Sequence, residues 1–77
     1  MSTTVKLSTI VAGHRFMWCG VLFEATHETT EFEGRLHRRV IYRSASGTGQ
    51  FQPGDKGLMP VDEEVYPCRG MTSEVVA

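Results

Sequence analysis

Five side chains in this chain have the chemistry to ligate a metal ion or assist a nucleophile: His14, Cys19, His27, His37 and Cys68. Structural zinc is usually held by ligands paired at short spacing, such as Cys-x2-Cys or His-x3-His, because one turn must deliver two donors together. No two of these five lie closer than five positions apart. A metal site would require separate strands to converge. Nucleophilic catalysis needs a thiol or hydroxyl, a base within hydrogen-bond reach and a third group that orients the base. Cys19 with His14 or His27, and Ser44 or Ser46 with His37, are the raw material, and no spacing pairs them. Asp62, Glu63 and Glu64 are consecutive, so they share no face of a strand. They read as a solvated turn, or as acids at a helix N-terminus. "SGTGQF" and "GDKG" lack the Gly-x4-Gly-Lys-Ser/Thr pattern of a phosphate loop and read as turns. The expectation is a protein that is not an enzyme, with no metal and no cofactor.

The remaining chemistry is charge. The chain carries 8 basic and 9 acidic residues for a net charge of -1. That balance argues against a generic polyanion binder, which is usually strongly basic. The distribution is uneven, however. Glu24, Glu28, Glu31 and Glu33 precede a basic stretch, "GRLHRRVIYRSASG", that holds Arg35, His37, Arg38, Arg39 and Arg43. If the two blocks form neighbouring strands, the glutamates partly neutralise the arginines across the sheet. Left unpaired, a row of cations about 6.6 Å apart along a strand would follow phosphates.

These groups need a scaffold, and the apolar pattern supplies one. "HRFMWCGVLFEATHE" has two apolar runs flanking Cys19-Gly20. A two-residue turn there places Trp18 opposite Val21, Met17 opposite Leu22 and Phe16 opposite Phe23. Phe16, Trp18, Val21, Phe23 and Ala25 then share the core face, and Met17 and Leu22 the other. "TTEFEG" ends the second strand in a turn at Gly34. In the strand that follows, Leu36, Arg38, Val40 and Tyr42 alternate with Arg35, His37, Arg39, Ile41 and Arg43. Val40 and Tyr42 read as inner, and Arg35, His37, Arg39 and Arg43 as outer.

Beyond the Gly/Ser turn "SASGTG", "QFQP" reads as a short strand with Phe51 inside and Pro53 stopping it. "GDKGLMPVDEEVYP" holds four breakers, Gly54, Gly57, Pro60 and Pro67. It predicts an irregular loop, with a helical turn at "VDEE" and a last strand around Val65 and Tyr66. Leu7, Ile10 and Val11 predict a single turn or an extended lead-in ended by Gly13. The sum is one domain over residues 1–77, with residues 1–5 and 70–77 as loose tails. Its class is all-β: a small antiparallel barrel or strongly curved sheet of about five strands.

The length of 77 residues allows a limited core and little room for an enzyme cleft. No segment reads as a signal peptide or a membrane span. Cys19 and Cys68 would need Cα atoms within about 7 Å to be bridged. A reducing cytosol would keep them open. The expected location is the cytoplasm.

Residues 6 to 67 resemble a pattern in short phage and prophage proteins that look like SH3-like small barrels. The matching residues are Gly13, Phe16, Gly20, Phe23, Arg43, Ser46, Gly47, Phe51, Pro53, Val65 and Pro67. The segment "GDKGLM" after Pro53 departs from the short turn of that pattern. The resemblance implies a fold and a phage or mobile-element origin, and it carries no catalytic residue across. Such proteins often bind and block a host protein, which would place this one in the host cytoplasm.

The expected function is therefore docking on a host protein and inhibiting it, through Arg35, His37, Arg39 and Arg43 with Met17, Leu22 and Ile41. Exposed Met and Leu beside arginines suit an interface. Nucleic-acid binding by the same arginines is the second expectation, with Phe32 and Tyr66 as the exposed aromatics. The third is a homo-oligomeric virion piece, with "EVVA" adding a strand to a neighbour.

Overall fold

The computed structural model describes residues 3–76. The described chain is all-β, with a single turn of 3-10 helix. Its strands are β1 (Val5–Lys6), β2 (Arg15–Trp18), β3 (Val21–Phe32), β4 (Arg35–Tyr42), β5 (Lys56–Pro60) and β6 (Glu64–Pro67). They form one antiparallel sheet in the order β1-β6-β2-β3-β4-β5. The 3-10 turn, η1 (Leu7–Thr9), follows β1. Leu7 and Ser8 donate backbone hydrogen bonds to the carbonyls of Glu63 and Val61, at 2.9 and 2.8 Å. These bonds hold η1 against the connection between β5 and β6.

Two tight turns set the register of β2, β3 and β4. Cys19 and Gly20 both have positive φ, 50° and 77°, and so do Glu33 and Gly34, at 51° and 78°. Paired left-handed residues match the right-handed twist of the flanking strands. Across the first turn Trp18 faces Val21, Met17 faces Leu22 and Phe16 faces Phe23, as the sequence pattern requires. The inner face then carries Phe16, Phe23, Ala25 and Val40, all buried, with Trp18, Val21 and Tyr42 packed against them. Aromatic rings run across it: Phe16 stacks on Phe23 at 5.3 Å, Phe23 meets Tyr42 at 4.7 Å, and Tyr42 stacks on Phe51 at 4.7 Å. Leu7 and Ile10 close this core from the lead-in, whereas Val11 is exposed.

The sheet departs from the sequence expectation in several places. It has six strands, not five. Phe51 lies outside any strand and reaches the core by stacking. "KGLMP" is a strand, with Met59 buried, where the breakers predict a loop. The reason is at Gly57, opposite Val40 on the inner side. A Cβ there would stand 3.2 Å from Tyr42 Cε1. This glycine admits a neighbouring ring rather than turning the chain. Pro60 ends β5 at the sheet edge, where a missing N–H is tolerated. "VDEE" forms a turn and not a helix; the helical turn is η1.

Both tail segments make backbone contacts within their described parts. Val5 pairs with Val65 in β1. At the C-terminus, Val75 bridges Cys68, and Val76 N–H donates to Pro67 O at 2.8 Å. The strand addition expected of "EVVA" is thus made to its own chain as far as Val76; Met1, Ser2 and Ala77 lie outside the described residues.

Two irregularities meet at one side chain. Between the pairs Ala25–Val40 and Thr29–Arg38, β3 bulges, and Thr26, His27 and Glu28 oppose Arg39 alone. Arg38 points inward and is 7% exposed. Its Nε donates to Thr26 O at 2.6 Å, and its Nη1 to Leu7 O at 2.7 Å and Ile10 O at 2.6 Å. One guanidinium therefore fastens the bulge to η1. Burial pulls its pKa down, without neutralising so strong a base.

Arg38→Met keeps the length and removes these donors. It is expected to lower stability by about 3 kcal/mol or more, since buried carbonyls lose charged donors. Arg35→Met, on an exposed pair, should change stability by less than about 1 kcal/mol. Urea unfolding of both variants checks this. Equal small losses would show that Arg38 does not tie the bulge to η1.

Candidate functional site

The outer face is where the alternation directs Met17 and Leu22. The register places Tyr66 of β6 beside Met17 of β2, and Met17 beside Leu22 of β3. Arg43 N–H donates to Leu22 O at 2.8 Å, which continues the row past the end of β4. The next row is Arg15, Glu24, Ile41 and Lys56, across β2, β3, β4 and β5. Beyond it Arg39 faces Leu58. Met17, Leu22 and Ile41 are half-buried, and Tyr66 is 42% exposed. Among the described residues no second core layer covers them, because the "GDKGLM" segment runs into β5 with Met59 on the inner side.

The expected arginine row is present on this face, and most of its charge is answered. Arg43 reaches Glu24 Oε1 twice, from Nη2 at 3.0 Å and Nε at 3.2 Å. Arg15 Nε lies 3.8 Å from the same oxygen and is buried without a hydrogen bond. Arg39 lies 3.6 Å from Glu28, and Arg35 2.8 Å from Asp62. Glu24 and Glu28 thus neutralise as the sequence suggests. Glu31 and Glu33 make no ion pair among the described residues. Asp62, read from sequence as part of a solvated turn, does so across 27 positions.

His37 departs from the expected exposed row. It is 9% exposed, with Phe32 edge-on to its ring at 5.4 Å. Its Nδ1 lies 3.0 Å from Arg35 O. A carbonyl only accepts, so Nδ1 carries the proton. His37 is a covered side chain and is not part of a contact surface. Arg35 stands apart, at the β3–β4 hairpin end with Asp62. The structure brings together Met17, Leu22, Ile41, Arg39 and Arg43, and adds Tyr66, Leu58 and Glu24. Tyr66 was legible as an exposed aromatic; its place beside Met17 depends on β6 pairing with β2, which no local pattern encodes.

The other candidates stay separate. Ser44 Oγ accepts from Leu22 N–H at 3.0 Å, and Ser46 Oγ accepts from Phe51 N–H at 3.1 Å. Neither hydroxyl bonds His37. Among the described residues no three His, Cys, Asp or Glu side chains cluster to hold a metal ion, and no helix is long and apolar enough to cross a membrane. Both cysteines are free; Cys19 is exposed at its turn and Cys68 is buried. Burial pushes the Cys68 thiol above its ordinary range, with nearby Arg15 opposing the shift. No protein-family model, curated protein or solved structure matches the chain.

A disulfide-exchange reagent at pH 8 is expected to titrate Cys19 first and Cys68 at least about 10-fold more slowly, because a raised pKa leaves less thiolate and burial limits access. Urea should bring the two rates together. Equal rates in the folded protein would contradict the burial of Cys68.

Proposed function

We propose that this chain is a non-enzymatic binding module that docks on another protein through the outer face of β2, β3, β4 and β6. The observation that supports the reading is the continuous row Tyr66–Met17–Leu22, flanked by Arg43 and Ile41. Aromatic, methionine and arginine side chains are enriched in interface cores. Contiguous apolar surface rimmed by polar groups is what a partner covers. The ion pairs favour a protein over a nucleic acid. Arg35, Arg39 and Arg43 each already face a carboxylate, so a phosphate would have to displace it. The two exposed aromatics, Phe32 and Tyr66, sit in different rows and form no stacking platform. The resemblance to short phage proteins suggests the partner's class: a host protein, whose activity the docking would inhibit.

The test is a tagged pull-down from host lysate with and without nuclease. One host protein retained after nuclease treatment is expected. Met17→Asp should reduce its capture at least about 10-fold, the scale of losing one buried anchor, while Arg35→Glu should leave it within about 2-fold. Capture that disappears with nuclease and falls steeply with salt would replace this reading with nucleic-acid binding. Recovery of multimers of the bait alone would replace it with self-assembly.

A further inference from the structure

Arg38 differs from every other arginine of the chain. Arg15, Arg35, Arg39, Arg43 and Arg69 each lie within 4.0 Å of a carboxylate oxygen. Arg38 has no acidic partner among the described residues. Its Nε and Nη1 are engaged by carbonyls, while Nη2 makes no hydrogen bond there. Nor is Nη2 sealed from solvent, as Arg15 Nε is. A buried cation with one free, accessible donor is an unusual thing to leave without a counter-ion.

Arg38 also lines a cleft. Its volume is about 280 Å³, and Ser8, His27, Thr29, Leu36 and Val61 line it too. Ser8 comes from η1, His27 from the bulge, and Val61 from the residue after β5. Thr29 and Arg38 face each other across β3 and β4. Two hydroxyls and an imidazole thus line the cleft together with Arg38, and none makes a side-chain hydrogen bond among the described residues. Leu36, 52% exposed, and half-buried Val61 form apolar walls.

We propose that this cleft binds a carboxylate carried on a short apolar stem. Arg38 Nη2 supplies the charged donor, and Ser8, Thr29 and His27 supply further hydrogen-bonding groups. Leu36 and Val61 hold the stem. One positive charge suits a monoanion. Glu31, paired with Leu36 on the same face, disfavours a phosphate dianion at the rim. The site shares no residue with the outer-face row, so it stands or falls independently of the docking reading. Its carboxylate has two sources, a small organic acid or the acidic side chain of a polypeptide.

The experiment is an amide-resolved NMR titration of the full chain with butyrate, neutral butyramide, inorganic phosphate and the capped tripeptides Ala-Glu-Ala and Ala-Gln-Ala. Butyrate is expected to saturate with a dissociation constant on the order of 1 to 10 mM, shifting the amides of Ser8, Thr29 and Leu36. Butyramide should shift none of them. Saturation by the Glu but not the Gln tripeptide, more tightly than butyrate, would identify a polypeptide side chain as the source. Tighter binding of butyrate would identify the small acid. Rim variants avoid the folding role of Arg38: Leu36→Asp should weaken butyrate at least about 10-fold and Thr29→Val about 3-fold. Equal responses to butyrate and butyramide, tighter binding of phosphate, or shifts indifferent to Leu36→Asp would each overturn the proposal.

Discussion

The guanidinium of Arg38 is the constraint on which the rest of this sheet depends. A charged group 7% exposed must recover in hydrogen bonds what it loses in hydration. Here the partners are main-chain carbonyls of Thr26, Leu7 and Ile10, which lie in segments distant in sequence. The lead-in is tied to β3 just after Ile10, by Gly13 N–H to Ala25 O at 2.8 Å and Ala25 N–H to His14 O at 2.9 Å, and Arg38 extends that tie back to η1. The arginine adds to the bonds of Leu7 and Ser8 to Glu63 and Val61 and to the burial of Leu7 and Ile10 in the core, which also hold η1. At the bulge it adds to the bonds of Thr26 Oγ1 with Arg39 O and Glu28 N–H and to the Arg39–Glu28 ion pair. A chain of 77 residues has few apolar contacts to spare, so a polar tie of this kind carries a large share of its specificity.

Curvature follows from the same region. Three residues of β3 against one of β4 bend the strand and add local twist. The excess is two residues, so parity is kept and the inner side remains inner on both sides of the bulge. That is why Thr29 and Arg38 lie on the face of Phe23 and Val40, although solvent reaches Thr29. Past the bulge β3 and β4 extend beyond the aromatic core. Their inner face there is lined by Thr29, Leu36 and Arg38 in place of rings, and becomes the wall of a cleft.

What the sequence discloses follows the range of the interaction involved. The Cys19-Gly20 turn is local, and a two-residue turn leaves one register, so the faces of β2 and β3 are legible down to single side chains. Alternation in β4 likewise assigns Val40 and Tyr42 correctly. It also directs Arg38 inward, but a hydropathy pattern has no means of showing that a charge in that position finds three carbonyls. His37 falls on the outer side by the same rule and is nonetheless covered, because Phe32 folds over its ring. Gly57 reads as a breaker, since the Tyr42 ring that requires its missing Cβ lies on another strand. Asp62 reads as solvated and is exposed, while its pair with Arg35 is hidden because Arg35 is remote in the chain. The six-strand order, and with it the place of Tyr66 beside Met17, is set by non-local pairing of β6 between β1 and β2.

The two surfaces are joined through Thr26. Its carbonyl accepts from Arg38 on the inner side, and its hydroxyl donates to the carbonyl of Arg39 at 2.7 Å. Arg39 in turn faces Leu58 and Glu28 on the outer side. Adjacent residues of β4 thus hold one bulge residue from opposite faces. Neither bond can lengthen by much without loosening the other, because hydrogen bonds weaken steeply outside a narrow range of distance and angle. The bulge is therefore fastened from both faces. It supports the outer row where a partner would dock and presents the guanidinium to the cleft behind it.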